Sequence, residues 1–208
     1  NASISGFVND HPQPRQDFAY VGTDLMWDQG ATARGFVDCN PATGQFRSQW
    51  QTPLAGEVTS VVAVGDDDVA YTDDTGTVTV LDSSSGTLNW ALDVDAAAAP
   101  TAWAAGTLFV TTTDGRVVAL DGATGAQRWE APVTGPAALA VGADVLYVAE
   151  LDTGVVHAFA RDGCGAPTCP ELATVDAGGP VSAGPIVDGG LLVVGTGDGR
   201  VVAFGPEG

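Results

Sequence analysis

One phrase recurs along this chain at a spacing close to forty residues, and no other feature limits the possible folds as tightly. TGTVTVLDSSSGTLNW (75–90) and DGRVVALDGATGAQRW (114–129) are two copies, and TGVVHAFARDGCGAPTCPEL (153–172) is a third with an insertion. ARGFVDCNPATGQFRSQW (33–50) opens the series, and DGRVVAFGPEG (198–208) closes it without a final aromatic. Aligned on the glycine leading what reads as each unit's inner strand, the copies start at Gly76, Gly115, Gly154 and Gly199. The intervals are 39, 39 and 45 residues. A period of this length marks a stacked repeat architecture.

Each unit parses as four strands. In one, VTSVVAVG (58–65), VAYTD (69–73), GTVTVLD (76–82) and TLNWALDV (87–94) follow in order, with SSSG as the last turn. Two of the four are almost continuous Val, Ala and Leu, as in sheets covered on both faces, and the fourth alternates like an outer strand. No stretch sustains the three-and-four apolar spacing of a helix, and 28 Gly with 12 Pro suit tight turns. Four-stranded units near forty residues predict an all-β fold, a β-propeller, over residues 1–208 as a single domain. The blades are read as 17–52, 57–95, 99–134, 137–176 and 180–205. The last has three strands, and ISGFVND (4–10) is a spare one, so that segment is expected to close a five-bladed ring as a monomer. The competing expectation is a piece of a larger propeller.

Charge excludes some functions. Seven Arg and no Lys stand against 21 Asp and 5 Glu, a net charge of −19. A cationic surface is what nucleic acid and anionic lipid require, so neither is an expected partner. Asp-Gly turns account for much of the Asp. The uncharged stretch 96–113 contains Pro100 and Gly106 and reads as two strands around a turn, not a membrane span. The opening NASISGF has neither a basic nor an apolar leader segment. Three cysteines and two histidines are too few for a zinc site. Cys164 and Cys169 flank a Gly and a Pro and can reach each other as an extracytoplasmic disulfide; three free thiols are the alternative.

The spacing Ala119-x-Asp121-x3-Gly125-x3-Trp129 resembles the tryptophan-docking motif of the quinoprotein-type (PQQ-like) β-propeller repeats, and Val80, Asp82, Gly86 and Trp90 repeat it. Asn40 and Gly44 keep the pattern, with Trp50 two residues late, and the fourth unit departs from it through its insertion, with Leu172 near the Trp position. The resemblance implies a Trp stacked between blades and an Asp and a Gly shaping the turn. An indole covers ~150–250 Å² and donates one hydrogen bond, which suits that role. The family includes dehydrogenases using pyrroloquinoline quinone beside Ca²⁺ and an adjacent Cys–Cys pair. This chain has no vicinal cysteines and is similar instead to the non-catalytic members. No cofactor is therefore expected, neither the quinone nor Ca²⁺. The function expected is a binding, scaffold or sensor domain of a bacterial extracytoplasmic protein, secreted or in the envelope, with protein or carbohydrate as partner. A fragment of a quinone-dependent dehydrogenase is the alternative.

Candidate sites follow. The insertion RDGCGAPTCPE contains Arg161, Asp162, Cys164, Cys169 and Glu171, and protruding loops on a rigid scaffold commonly carry recognition. Asp114 and Asp198 align at one turn, with Arg116 and Arg200 just after, and are read as a channel mouth. Asp66–Asp68 and Asp73–Asp74 lack the alternating spacing of a calcium loop and read as solvated turns. His157 lies in the inner-strand phrase VVHAF with no nucleophile motif beside it, so no catalytic residue is expected.

Overall fold

A computed structural model describes residues 18–21, 24–28, 32–40, 45–60, 62–65 and 67–205, with side chains from Gln49 onward. Among these residues there is no helix, and the strands form five antiparallel sheets. The first sheet orders β1 (Phe18–Val21), β2 (Asp24–Asp28), β3 (Thr32–Asn40) and β4 (Gln45–Pro53) side by side in chain order. The second contains β5 (Ala63–Val64), β6 (Asp68–Thr72), β7 (Thr77–Asp82) and β8 (Leu88–Asp93). The third contains β9 (Ala102–Ala104), β10 (Thr107–Thr111), β11 (Arg116–Asp121) and β12 (Gln127–Pro132). The fourth contains β13 (Ala137–Val141), β14 (Val145–Glu150), β15 (Val155–Ala160) and β16 (Ala173–Asp176). Three strands make the fifth: β17 (Val181–Asp188), β18 (Leu191–Thr196) and β19 (Val201–Phe204). This is a β-propeller of four-stranded antiparallel blades. The closing strand expected at 4–10 lies outside the described residues.

Local chemistry explains the meander. Gly76, Gly115, Gly154 and Gly199, aligned from sequence, all take φ between +82° and +85° at the turn into the third strand. A side chain there would be strained, so the repeat keeps glycine. Central strands such as TLFVT (β10) are buried throughout, whereas β8 is exposed at five of its six positions. That contrast is the one expected between the middle and the outer edge of a blade.

The core lies between blades. Phe109, Val117 and Trp129 of the third sheet pack with Leu146, Val148 and Phe159 of the fourth. Val78 and Val80 of the second pack with Leu108, Val118 and Leu120 of the third. Val156 and Ala149 of the fourth meet Leu192 and Val194 of the fifth. One assignment from sequence is corrected here. The inner strand is the first of each blade, not the third, because blades approach through β1 against β5, β5 against β9, β9 against β13 and β13 against β17. The second and third of these are short and rich in alanine, and small side chains let neighbouring sheets converge.

Candidate functional site

Each described junction between the first four blades is pinned by one indole. Trp50 Nε1 donates to Ser83 O at 2.9 Å, Trp90 Nε1 to Gly122 O at 2.8 Å, and Trp129 Nε1 to Arg161 O at 3.2 Å. The acceptor in each case is on the next blade's turn after its third strand. The ring faces lie against glycines there: Gly86 against Trp50, Gly125 against Trp90 and Gly163 against Trp129. A Cβ on Gly125 would stand 2.9 Å from Trp90, and its φ is +73°. The aspartates organise the same turns. Asp82 Oδ1 accepts from the N–H and hydroxyl groups of Ser84 and Ser85, which hold its carboxyl below the ordinary range. Arg128 first and then Thr124 lower Asp121 to about 2.

A second set of turn residues was not singled out from sequence. Asp73, Thr112, Glu150 and Thr196 occupy equivalent positions where the second strand ends, and all are 5% exposed or less. Asp73 Oδ1 accepts from Thr75 N, Thr75 Oγ1 and Thr77 N; Thr112 Oγ1 instead donates to Asp114 and accepts from Arg116 N. Asp73 is therefore a buried turn residue, which corrects its reading as solvated; Asp74, beside it, is exposed and accepts from Glu57 N. The hydroxyl and the carboxylate exchange places between blades, which hides the correspondence in the sequence.

The residues read as a channel mouth do not line the converging first strands. Asp114 lies between β10 and β11 and Arg116 opens β11, while Asp198 and Arg200 lie between β18 and β19, midway out along their blades. Each pair closes within its own blade or the adjacent turn. Arg116 bonds Asp114 at 2.9 Å and Glu130 at 2.5 Å, and Arg200 bonds Asp198 at 2.7 Å and Gly178 O at 2.8 Å. Hydrogen bonds from Thr112 and Arg116 lower Asp114, and those from Thr196 and Arg200 lower Asp198. The physical reason is the strand order: a third-strand turn cannot reach the axis when the first strand is innermost.

The insertion 161–171 is the most elaborate feature of the surface. Cys164 and Cys169 are joined in a disulfide, Cα to Cα 5.6 Å, with Cys169 2% exposed. The loop leaves its own blade and bonds to the outer edge of the preceding one. Glu130 N of β12 donates to Pro167 O, and Cys169 N donates to Glu130 O, both at 2.8 Å, making a parallel bridge between Glu130 and Thr168. Arg161 pairs with Asp162 and donates to Ala143 O, and that guanidinium keeps the Asp162 carboxyl low. Between loop and edge lies a half-open cleft of about 400 Å³, lined by Gln127, Arg128, Trp129, Asp162, Gly165 and Pro167 among others.

At the loop's far end Glu171 reaches His157, which is on β15, the third strand and not the inner one. Nδ1 of His157 is 2.8 Å from Glu171, and Nε2 is 3.1 Å from buried Glu150. Burial opposes ionisation of Glu150, but Thr153, the Thr134 N–H and His157 together hold its carboxyl below the ordinary value. This ties the loop to the blade interior.

A quinone site of the kind the resemblance implies would need a vicinal cysteine pair and a carboxylate set for Ca²⁺. The disulfide here joins residues five apart, and among the described residues no group of three His, Cys, Asp or Glu side chains could hold a metal ion.

Comparison with known proteins gives the fold a context. The chain is similar to the crystal structure of BamB from Moraxella catarrhalis, with a TM-score of 0.73 and 18% identity, over 98% of this chain and 60% of that one. It is also similar to the computationally designed Ika8 protein, with a TM-score of 0.71 and 16% identity, over 91% of this chain and 57% of that one. A chain of the mitotic checkpoint complex gives 0.73 at 12% identity, over 90% of this chain and 62% of that one. The chain thus spans about three fifths of the length of these structures. No curated protein sequence matches it. The model of the family described as outer membrane protein assembly factor BamB matches residues 33–165, more than half of the sequence, and the chain belongs to that family.

Proposed function

We propose that this domain is a non-catalytic protein-binding scaffold of a bacterial envelope, secreted or membrane-associated, which engages its partner through the 161–171 loop and the adjoining cleft. The observation carrying this reading is the loop itself. It is closed by a disulfide, hydrogen-bonded to the neighbouring blade and backed by Trp129, so it presents a preorganised surface to a partner. Preorganisation lowers the ordering cost that binding otherwise incurs. Arg128 and Asp162 place opposite charges on the two sides of the cleft, which suits a polypeptide with polar and charged groups. Membership of an assembly-factor family supports a protein as partner. The disulfide supports an oxidising compartment.

The test is a quantitative pull-down from a bacterial envelope fraction. A partner retained by the wild-type chain should be lost with Asp162→Arg and with the Cys164→Ala, Cys169→Ala pair, while Asp188→Arg at the end of β17 in the fifth sheet, outside the cleft lining, retains it. Pyrroloquinoline quinone and Ca²⁺ added together should leave no bound chromophore. Retention unaffected by the loop variants, or a bound quinone with dye-reducing activity, would overturn the proposal.

A further inference from the structure

The two sulfurs of the loop disulfide stand in unlike surroundings. Cys164 is exposed, whereas Cys169 is 2% exposed and packs with Trp129 and Phe159. Gly163 and Gly165 flank Cys164, with φ of +86° and +80°. A Cβ on Gly165 would meet nothing within 4 Å, so that side of Cys164 opens on solvent. Gly163, by contrast, is seated on Trp129, where a Cβ would lie 2.6 Å from the indole. A nucleophile from solvent therefore reaches one sulfur and is screened from the other.

The screened sulfur is also placed to be the leaving group. Cys164 N–H donates to Cys169 Sγ, with 2.9 Å between N and S. That donor meets the negative charge developing on Cys169 as the S–S bond breaks, and hydrogen bonds to charged acceptors are the stronger kind. Cys169 stays in place after cleavage, because its own N–H is bonded to Glu130 O and its side chain is packed between blades. The part set free is Cys164 with Gly165, Ala166 and Pro167, and the last three line the cleft.

Charge selects among thiols. Arg161 is engaged by Asp162 and by Ala143 O, so it leaves no free cation beside the sulfur. The Asp162 side chain, two residues from Cys164, is 71% exposed, and the whole chain carries −19. A carboxylated or sulfonated thiolate brings net negative charge into this field. An aminothiol attacks as a zwitterion, its ammonium offsetting its thiolate, and approaches without that repulsion.

We propose that Cys164 is a thiol–disulfide exchange site for a small aminothiol. The incoming thiolate attacks Cys164 Sγ in line with the S–S bond. A new sulfur–sulfur bond to Cys164 forms as the bond to Cys169 breaks, and the electron pair leaves on Cys169 Sγ, which takes a proton from water. The incoming sulfur is oxidised as the Cys169 sulfur is reduced, so no further oxidant enters. The adduct opens the loop; attack by the anchored Cys169 on Cys164 Sγ expels the aminothiol and closes it again. The exchange does not depend on whether the cleft engages a partner, so the two proposals fail separately.

Cysteamine added to residues 1–208 carrying Cys39→Ser, followed by acid quenching, alkylation and peptide mass mapping, tests this. The mixed disulfide should lie on Cys164, with Cys169 alkylated, about tenfold or more over the reverse pattern. At low ionic strength cysteamine should react about threefold or more faster than mercaptoethanesulfonate at equal thiolate concentration, and the gap should shrink in ~0.5 M NaCl. With cystamine as the labelling disulfide, Cys169→Ala should be labelled readily at Cys164, whereas Cys164→Ala should resist labelling at Cys169 until denaturant is added. Equal labelling of the two sulfurs, or a preference for Cys169, would refute the site. So would a disulfide that stays closed at thiol concentrations that open the same loop as a free peptide. A sulfonated thiol reacting as fast as cysteamine at low salt would refute the aminothiol preference.

Discussion

Asp121 shows how a turn residue becomes a stability determinant. Arg128 and Thr124 lower its carboxyl from an ordinary 3.8 to about 2 in the folded chain. Because the folded value lies below the unfolded one, the stabilisation is fully present above about pH 4 and is lost as pH falls through about 2. Asp121→Asn should cost about 1–2 kcal/mol at neutral pH. It should also flatten the decline in melting temperature between those pH values, read by circular dichroism. Gly125→Ala combines a positive φ with a Cβ pressed on Trp90, and should cost about 1–3 kcal/mol in chemical denaturation. Trp129→Ala should cost about 3–5 kcal/mol, since the ring is 2% exposed and joins two blades. These roles were readable to different degrees. Asp82, Gly86, Asp121 and Gly125 recur in register and were legible, whereas Asp73 and Glu150 were not, because the group doing their work changes from carboxylate to hydroxyl between blades.

At the scale of elements, the 161–171 loop matters most. Its composition marked it as an insertion, but its attachment to β12 involves backbone atoms of Glu130, Pro167 and Cys169, to which side-chain identity contributes no signal. Replacing Cys164 and Cys169 by alanine should cost about 2 kcal/mol, as expected for a short closed loop. It should also speed exchange at the Glu130 and Cys169 amides while leaving β10 and β11 unchanged. Uniform acceleration across the third blade would show that the loop is integral to the blade rather than an appendage on its edge. The assignment of inner and outer strands belongs to this scale too. Second and third strands both carry a strong Val and Leu pattern, as in LLVVGT of β18 and RVVALD of β11, and that shared pattern disguises which strand faces the axis.

For the whole molecule, seven arginines against 26 acidic residues leave a net charge of −19. Such self-repulsion opposes compaction and is screened by salt. The melting temperature should therefore rise between low ionic strength and ~0.5 M NaCl, where the Debye length is only a few ångströms. A fall would mean that pairs such as Arg116–Glu130 and Arg200–Asp198 outweigh the net repulsion.

Local chemistry repeated at a forty-residue interval determined the strands, their glycine turns and the blade as a unit, because each depends on residues near one another in the chain. The order in which blades converge, the burial of Asp73 and Glu150 and the loop crossing to the neighbouring blade were decided only by tertiary structure. Each of these depends on which surface meets which, and contacts between units of nearly identical sequence leave no distinguishing mark in the units themselves.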